Sequence, residues 1–484
     1  MDKKVNKQFL FVIVVSLFLL SNCSTTKNDY NEFEGKWGGV LKTPAKNVLV
    51  YIEFQRDSSN NKYVKVTGLL KKKNFPFFAD SILTNGNKIF FSINKLNIDY
   101  NGKFLADSNK IKGIWRQGNF RTELVFYREN ELYRIDRPQH PFPPYPYVAD
   151  TVDFYNEKDS VRLVGTLTYP RNKNGKFPAI LLLSGTGPHD RDETMYNHKP
   201  FLVMADFFTR HGFMVLRYDE RGVGESSGDF YQSDIFNLKD DAVAAIGYLK
   251  TLDNVDTSKI GIIGFGEGGI IASLIAAERK EPGFIVLLST PAITGAEVLI
   301  DQVQRIQMQN KISEDEIKKD LNFNKKLVKI ISSEINLEKA ELKIRKLYDK
   351  FIQEIPPEER RKPKYNKRIF YNQLRIMLTP WFKSYLTFDP VHIFSKISSF
   401  VLVLYGEKDL QLDPVKNYKL LTRELFKVNK GKVDGEILKD MNHLFQQSYT
   451  GLPEEYKKIK QTISVDVLNR ILNWLDKKMK YNLQ

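Results

Sequence analysis

Apolar and polar residues alternate in short segments over the first quarter of the chain, and turn residues separate these segments. A period of two is typical of strands with one buried face. Asn-Gly pairs in "TNGN" (84–87) and "YNGK" (100–103) indicate hairpin turns. The pattern predicts an all-β domain over residues 34–128, either a small barrel or a sandwich. Its strand-like segments are "NVLVYIEFQ", "KYVKVTGLL", "NKIFFSI", "NIDYNGKFLA" and "TELVFYR".

Two tryptophans lie near the ends of this predicted domain. Trp37 stands in "GKWGGVL" and Trp115 in "IKGIWRQGNF". We expect them to pack against each other as anchors of the core. An aromatic platform for a ligand is the alternative interpretation.

A proline-rich stretch, "RPQHPFPPYPY" (137–147), follows the β-domain. Prolines favour extended backbone, so we predict a semi-rigid linker over residues 129–150. A recognition motif for a peptide-binding domain is the alternative interpretation of this stretch.

Beyond residue 151, buried apolar runs alternate with amphipathic helical segments. "PAILLLSGTG" (178–187) and "IGIIGFGEGG" (260–269) each run from apolar residues into a glycine-rich turn. This alternation predicts an α/β fold, a doubly wound and mostly parallel sheet with helices on both faces. We assign residues 151–294 and 391–484 to this domain. The charged helical pattern of residues 295–390 predicts an insertion that caps the mouth of an active site.

The first 23 residues have the pattern of a secretory signal. Lys3, Lys4 and Lys7 precede the apolar run "FLFVIVVSLFLL" (9–20), which is too short to span a bilayer as a mature helix. The segment resembles a bacterial lipoprotein signal, with Cys23 as the acylated residue. That resemblance implies a lipid-anchored protein of the cell envelope, in the periplasm or on the outer membrane surface. A plain signal peptide with an incidental cysteine is the alternative.

Composition narrows the chemistry. Cys23 is the only cysteine, which excludes an intramolecular disulfide framework and multi-cysteine metal sites. The net charge of +16 is spread along the chain, without the basic and aromatic clusters of a nucleic-acid surface. We therefore predict a lysine-rich solvated surface, no nucleic-acid partner, no cofactor and no metal. Nothing in the residues predicts the oligomeric state.

The stretch "GFGEGG" (264–269) follows a predicted strand and opens a predicted helix. This is the setting of the nucleophile elbow of α/β-hydrolases, G-x-S-x-G, in which the central serine attacks the substrate. Here Gly266 occupies the central position. Asp409 and His443 follow later strands, so the nucleophile position, acid and histidine stand in the chain order of the α/β-hydrolase triad.

Seven stretches make the chain similar to a bacterial family of α/β-hydrolases, the carboxylesterases and serine-aminopeptidase-like proteins with an N-terminal β-domain. Two departures stand out, because family members have serine at position 266 and usually glutamine or threonine where this chain has His189. The stretches are "SGTGPHDRDE", "NHKPFLVMAD", "LRYDERGVGESSGDF", "GFGEGG", "LTPWFKSYLTFDP", "LYGEKDLQLDP" and "MNHLFQQSYTG".

This resemblance implies roles for particular residues. Asp409 is the implied triad acid, with Asp413 a weaker claimant, and His443 is the implied base. The implied oxyanion donors are the backbone N–H of Glu267 and one from the loop around Thr186 and Gly187. The implied ligand is a small ester or acyl compound.

Several other side chains near these positions are predicted to be structural. We expect His189 to hydrogen-bond within its loop and Arg191 to pair with Asp192. Asp219 and Arg221 are expected to lock the loop that follows their strand.

Glycine cannot attack a carbonyl, and loss of the nucleophile lowers turnover about a millionfold in a serine hydrolase. Ser273 lies too far along the following helix to replace it, while Ser226 and Ser227 belong to a turn. Two hypotheses remain. In one, His443 activates a water molecule and supports weak hydrolysis. In the other, the chain is a pseudoenzyme that binds an acyl ligand or a partner protein in the capped pocket.

Overall fold

The computed structural model describes residues 33–43, 47–56, 62–67, 77–85, 87–105, 110–128, 137–171, 175–279, 281–361 and 363–479. The predicted signal segment 1–23, with Cys23, lies outside the described residues. Within them, no helix combines the length and the apolar character needed to cross a bilayer. The chain divides between Phe142 and Pro143 into two compact units.

The first unit is an antiparallel sheet, and it is built from nine described strands in the order β4-β3-β2-β1-β9-β8-β7-β6-β5. All the described strands of this unit belong to one sheet, so the unit is a curled half-barrel and not a two-sheet sandwich. The strands are β1 Gly35–Lys42, β2 Asn47–Arg56, β3 Lys62–Thr67, β4 Phe77–Phe78, β5 Ser81–Asn85, β6 Lys88–Ile93, β7 Ile98–Leu105, β8 Lys110–Gln117 and β9 Phe120–Arg128.

Of the two predicted hairpins, the structure has the first and lacks the second. Asn85 pairs with Lys88 across the β5–β6 hairpin, whereas "YNGK" (100–103) runs straight through the middle of β7. The prediction at "YNGK" is wrong because Gly102 serves packing: a Cβ there would stand 2.5 Å from the Tyr100 ring.

Trp37 and Trp115 are both fully buried in the half-barrel core. The predicted contact between them is replaced by separate aromatic partners. Trp37 packs edge-on against Phe104 with ring centroids 6.0 Å apart, while Trp115 lies beside Phe91 and Tyr100.

The second unit is built on an eight-stranded sheet with the order β10-β11-β13-β12-β14-β15-β16-β17. β11 alone runs in the direction opposite to the other seven strands. The inner strands are apolar and buried because helices cover both faces. This confirms the predicted fold class. The strands are β10 Tyr147–Asn156, β11 Val161–Pro170, β12 Phe177–Leu183, β13 Met214–Tyr218, β14 Val255–Phe265, β15 Phe284–Leu288, β16 Phe400–Gly406 and β17 Val433–Leu438.

Helices cover the sheet on both faces. Two of them, α1 Pro200–Arg210 and α12 Val465–Met479, share one apolar core with one face of the sheet. A larger core holds the opposite face together with α2 Ile235–Lys250, α3 Glu267–Glu278 and α10 Pro414–Phe426.

The segment between β15 and β16 contains a block of helices that pack on the larger core. Side-chain N-caps define the starts of five of these six helices; for example, Ser313 accepts from the Glu316 N–H and Thr379 from the Phe382 N–H. The helices are α4 Gly295–Gln309, α5 Glu314–Ser333, α6 Leu337–Gln353, α7 Lys367–Met377, α8 Pro380–Thr387 and α9 Val391–Phe394, with short 3₁₀ turns at Glu359–Arg361 and Pro363–Tyr365; α11 Pro453–Tyr456 lies near the C-terminus.

A Tyr100→Phe substitution tests the packing of the half-barrel. The Tyr100 hydroxyl lies 3.1 Å from the Ile111 carbonyl oxygen and 3.0 Å from that of Leu124, inside the core. Its removal leaves a buried acceptor without its donor, a loss of about 1–2 kcal/mol. We expect roughly tenfold faster amide hydrogen exchange in residues 98–128 by mass spectrometry. The half-buried Tyr127→Phe change is the control, and equal exchange in both variants would contradict the assignment.

Candidate active site

The turn between β14 and α3 brings three elements together at one point. Gly266 has φ 53° and ψ −116°, and its N–H donates to the Leu288 carbonyl at the end of β15 (2.9 Å). A Cβ at Gly264 would stand 2.4 Å from the Gly268 carbonyl oxygen, and one at Gly268 would stand 2.3 Å from that of Leu183. Both flanking glycines are therefore required by sterics, which is why this sequence turns sharply from strand to helix.

Position 266 itself has room for a side chain. A Cβ there would meet its nearest neighbours, Gly185 Cα and the Thr186 amide nitrogen, at 3.5 and 3.8 Å, which is ordinary van der Waals contact. The backbone conformation is one that L side chains rarely adopt, and such strain is typical of functional turns. The strand–turn–helix geometry of an elbow is thus present, with no side chain at its apex.

Asp409 and His443 come together from the ends of two adjacent strands, β16 and β17. His443 Nδ1 lies 2.7 Å from Asp409 Oδ2. The Asp409 side chain is fully buried, and its other oxygen accepts the backbone N–H groups of Gln411 (2.8 Å) and Leu412 (2.9 Å). With the Nδ1 proton directed at the carboxylate, Nε2 is the ring nitrogen available as a base.

Ser289 also contacts this pair, although no motif in the sequence marks it as a site residue. Its hydroxyl donates to Asp409 Oδ2 (3.0 Å) from the residue that follows β15. The available signal was its place, a polar residue directly after a buried strand, since such strand ends share one edge of the sheet.

The loop after β12 lies beside the elbow. Its two candidate oxyanion donors, the amides of Thr186 and Gly187, have different surroundings. The backbone of Gly187 lies close to the carboxyl group of Glu267 and lowers its pKa slightly against the larger, raising effect of burial. The Thr186 amide nitrogen is the one that lies within 3.8 Å of a Cβ at position 266. The Thr186 side chain lies close to the Tyr385 side chain on the wall of the same cavity. Of the predicted loop residues, Thr186 is the one whose amide nitrogen lies beside position 266.

A cavity of about 100 Å³ opens beside Gly266 and His443, with room for several water molecules or a small ligand. Helix α8 supplies part of its wall through Trp381, Phe382 and Tyr385. The Trp381 indole N–H donates to Glu267 Oε1 (3.2 Å). The helical insertion thus contacts the elbow directly. The sequence pattern predicted the insertion but not this contact.

Three buried glutamates surround the elbow and the neighbouring loops. Burial raises the pKa of Glu193 to about 8 and that of Glu267 to about 8. Burial also raises the pKa of Glu220 well above its usual range, and the charges of Glu267 and Glu193 add to that shift. Glu193 and Glu220 were not singled out in the sequence, because burial of an acid cannot be read from its neighbours in the chain.

The predicted Arg191–Asp192 ion pair is wrong. Arg191 instead pairs with Asp219 (2.6 Å) and Glu225, while Asp192 pairs with Arg217 (2.9 Å) and Lys199. Adjacent side chains on this loop pair with different partners. Those partners are distant in the sequence, so the sequence alone does not predict the pairing.

Arg221 forms a bidentate pair with the buried carboxylate of Asp241 and a further ion pair with Asp159. Its role is therefore structural, as expected. His189 Nε2 lies 3.3 Å from the Thr186 carbonyl oxygen, and burial lowers the pKa of this imidazole.

The serines and the second aspartate considered as substitutes are engaged elsewhere. Ser273 donates to the Gly269 carbonyl within its helix, and Ser226 donates to the Asp219 carbonyl. Ser227 accepts the Arg162 N–H. Asp413 caps α10 through the Lys416 N–H and contacts Arg305, so it is not the partner of His443. Among the described residues, no group of three or more acidic or histidine side chains is arranged to hold a metal ion.

The sheet order, the single strand of opposite direction, the glycine elbow and the Asp–His pair at adjacent strand ends are the features of the α/β-hydrolase fold. Residues 159–301 match the X-Pro dipeptidyl-peptidase (S15) family. Esterase EstD of Thermotoga maritima is 27% identical over 330 residues, 67% of this chain and 68% of EstD. The second unit therefore has the fold of the α/β-hydrolases, and the chain is similar in sequence to an esterase of that fold.

Two solved structures are similar over about two thirds of this chain. The Pyrococcus furiosus esterase Pf2001 has a TM-score of 0.43 at 17% identity, covering 68% of this chain and 91% of its own. The α/β hydrolase GrgF from a Penicillium species has a TM-score of 0.43 at 16% identity, covering 69% and 100%.

The two buried acids predict how stability depends on pH. Unfolded glutamate releases its proton near 4.5, whereas Glu193 and Glu267 hold theirs to about 8 in the folded chain. Between these values the folded state binds more protons, so the free energy of unfolding falls as pH rises, by about 1 kcal/mol per pH unit for each group. The double variant Glu193→Gln/Glu267→Gln should make this fall shallower, with buried Glu220 accounting for part of what remains, measured as urea midpoints at pH 5.5 and 8.

The control for this measurement is Glu354→Gln/Glu358→Gln, in which both acids are exposed. The control should keep the pH dependence of the parent protein. An unchanged dependence in the buried-acid variant would contradict the assignment.

Proposed function

We propose that this chain is an exported α/β-hydrolase that binds a small ester or acyl ligand in its capped cavity and hydrolyses it very weakly or not at all. One observation carries the proposal: the elbow at Gly266 has no side chain, beside an Asp409–His443 pair at 2.7 Å. In a serine hydrolase the residue at the elbow forms the acyl-enzyme bond, and histidine removes its proton as it attacks. Glycine supplies neither the oxygen nor the proton.

The cavity supports ligand binding independently of that loss. Its walls combine apolar side chains, including Phe382 and Leu444, with the backbone of the loop after β12. The Glu267 and Thr186 N–H groups are the proposed donors to a ligand carbonyl oxygen. A ligand bound in this way needs no nucleophile, so binding can persist where turnover is lost. The proposed occupant is a small ester or acyl molecule. A segment of a partner protein is the alternative occupant, and binding experiments distinguish the two.

A second candidate is weak hydrolysis through water. The space at position 266 and the paired His443 favour it specifically. Nε2 of His443 would accept a proton from water as the water oxygen bonds to the ester carbonyl carbon. The tetrahedral intermediate would then expel the alcohol, which takes the proton back from His443, and the acid product leaves. No covalent bond to the protein forms in this mechanism.

The proposed location is the cell envelope, with a lipid anchor at Cys23. Its support is the order of lysines, apolar run and single cysteine at the N-terminus. A Cys23→Ala variant expressed with its signal should lose radiolabelled palmitate and leave the membrane fraction. Retention of label in that variant would contradict the anchor.

A Gly266→Ser substitution tests the proposed function most simply. The serine oxygen would restore the missing nucleophile, so turnover of p-nitrophenyl acetate and butyrate should rise by at least about 10³-fold, a conservative part of the millionfold loss. Gly266→Ala is the matched control, because it imposes the same backbone strain without an oxygen. In Gly266→Ser/His443→Ala the gain should vanish. No gain in the folded serine variant would show that the site has diverged beyond its nucleophile.

The residual hydrolysis rate of the parent protein, compared with that of His443→Ala, distinguishes the two candidates. If water-based hydrolysis operates, His443→Ala lowers the residual rate while ligand binding is kept. An unchanged residual rate would contradict the water mechanism and leave binding as the function.

A further inference from the structure

Glu193 lines the cavity at a short distance from the elbow, and nothing in the implied triad uses it. Its side chain is fully buried. Oε1 accepts the Gly185 N–H (3.0 Å). Gly185 is also the nearest neighbour of the vacant side-chain position at 266, with its Cα 3.5 Å from a Cβ placed there. The carboxyl group therefore belongs to the same pocket as Gly266 and His443.

The second oxygen of Glu193 is unsatisfied. Oε2 is buried and has no hydrogen-bond partner among the described residues. A buried polar atom left in this state lowers stability by about 1–3 kcal/mol. Such atoms in native proteins usually find a partner in water, an ion or a ligand. A cavity bordered by the same residue is the place where that partner can bind.

The surroundings of Glu193 decide which chemistry the partner has. No lysine or arginine lines the cavity among the described residues. The titratable groups that act on Glu193 are acids, Asp190 on its own loop and Glu220 after β13. Like charges and burial favour the neutral carboxylic acid at neutral pH. Because Oε1 already accepts a hydrogen bond, the acid proton belongs on Oε2, which is then the donor of Glu193 left to a ligand.

We propose that Glu193 is a ligand-binding residue whose neutral carboxyl group donates a hydrogen bond from Oε2 to an uncharged acceptor oxygen of the bound ligand. The acceptor is a carbonyl, ether or hydroxyl oxygen, as in an ester or amide, and not an ammonium group. A neutral buried acid can serve as such a donor at neutral pH. The inference rests on the proposed binding function and names the chemistry of its ligand.

Two probes of similar size distinguish the possibilities. Butyranilide carries an uncharged carbonyl acceptor, and 4-phenylbutylamine carries an ammonium group. Their dissociation constants are measured by ligand-observed NMR for the parent protein, Glu193→Gln, Glu193→Met and the control Glu220→Gln. Glutamine keeps an oxygen for the Gly185 N–H and offers an amide donor in place of Oε2, whereas methionine offers neither. Glu220 is equally buried, but its carboxyl accepts the His189 N–H and does not line the cavity.

The expected result is that butyranilide binds the parent protein and Glu220→Gln alike, and binds Glu193→Gln within about twofold. Binding to Glu193→Met should weaken about five- to tenfold. Between pH 7 and pH 9.5 the parent protein should lose affinity as Glu193 ionises, while Glu193→Gln should not. This pH comparison decides the matter alone if the methionine variant does not fold.

Three results would overturn the inference. One is equal butyranilide affinity in folded Glu193→Met and the parent protein. Another is tighter binding of 4-phenylbutylamine that is lost in Glu193→Gln, which would make the ligand a cation. The third is a pH dependence that persists in Glu193→Gln, which would assign it to Glu267. Absence of binding by either probe to both the parent protein and Glu220→Gln would contradict the proposed binding function itself, and with it the role of Glu193.

Discussion

The close approach of glycine backbones at the β14–α3 turn is the constraint on which the site depends. Gly264 and Gly268 have no room for a Cβ, and the Gly266 N–H is held by the Leu288 carbonyl of β15. The turn therefore fixes α3 against β12 and β15 at once. It also places the left-handed backbone at 266 beside the loop that carries Thr186. A chain that lost catalysis but kept this packing would keep the shape of the pocket.

The helical insertion adds a second layer of constraint. Helix α8 is hydrogen-bonded to the elbow through Trp381 and Glu267, and its Tyr385 lies close to Thr186 of the loop after β12. These contacts bury Glu267 with no cationic partner among the described residues, and burial raises its pKa to about 8. A neutral acid tolerates such a position far better than a carboxylate does. The cap, the elbow and the protonation of the buried acids are therefore one coupled arrangement.

Sequence alone predicted the fold class and brought Gly266, Asp409 and His443 forward, because each follows an apolar strand and strand ends share one edge of the sheet. The sequence-based predictions failed where packing between residues distant in the chain determines the local structure. "YNGK" (100–103) lies inside a strand because Tyr100 fills the space above Gly102. Likewise, Ser289 and Glu193 gain their importance only from a distant carboxylate and a cavity.

The most direct measurement is covalent labelling of the elbow by a fluorophosphonate, followed by intact and peptide mass spectrometry. In Gly266→Ser, an activated serine oxygen would attack phosphorus and expel fluoride. The account predicts one adduct at position 266 in that variant, and none there in the parent protein or in Gly266→Ala. Absence of label in the folded serine variant would contradict the claim that the site lacks only its nucleophile.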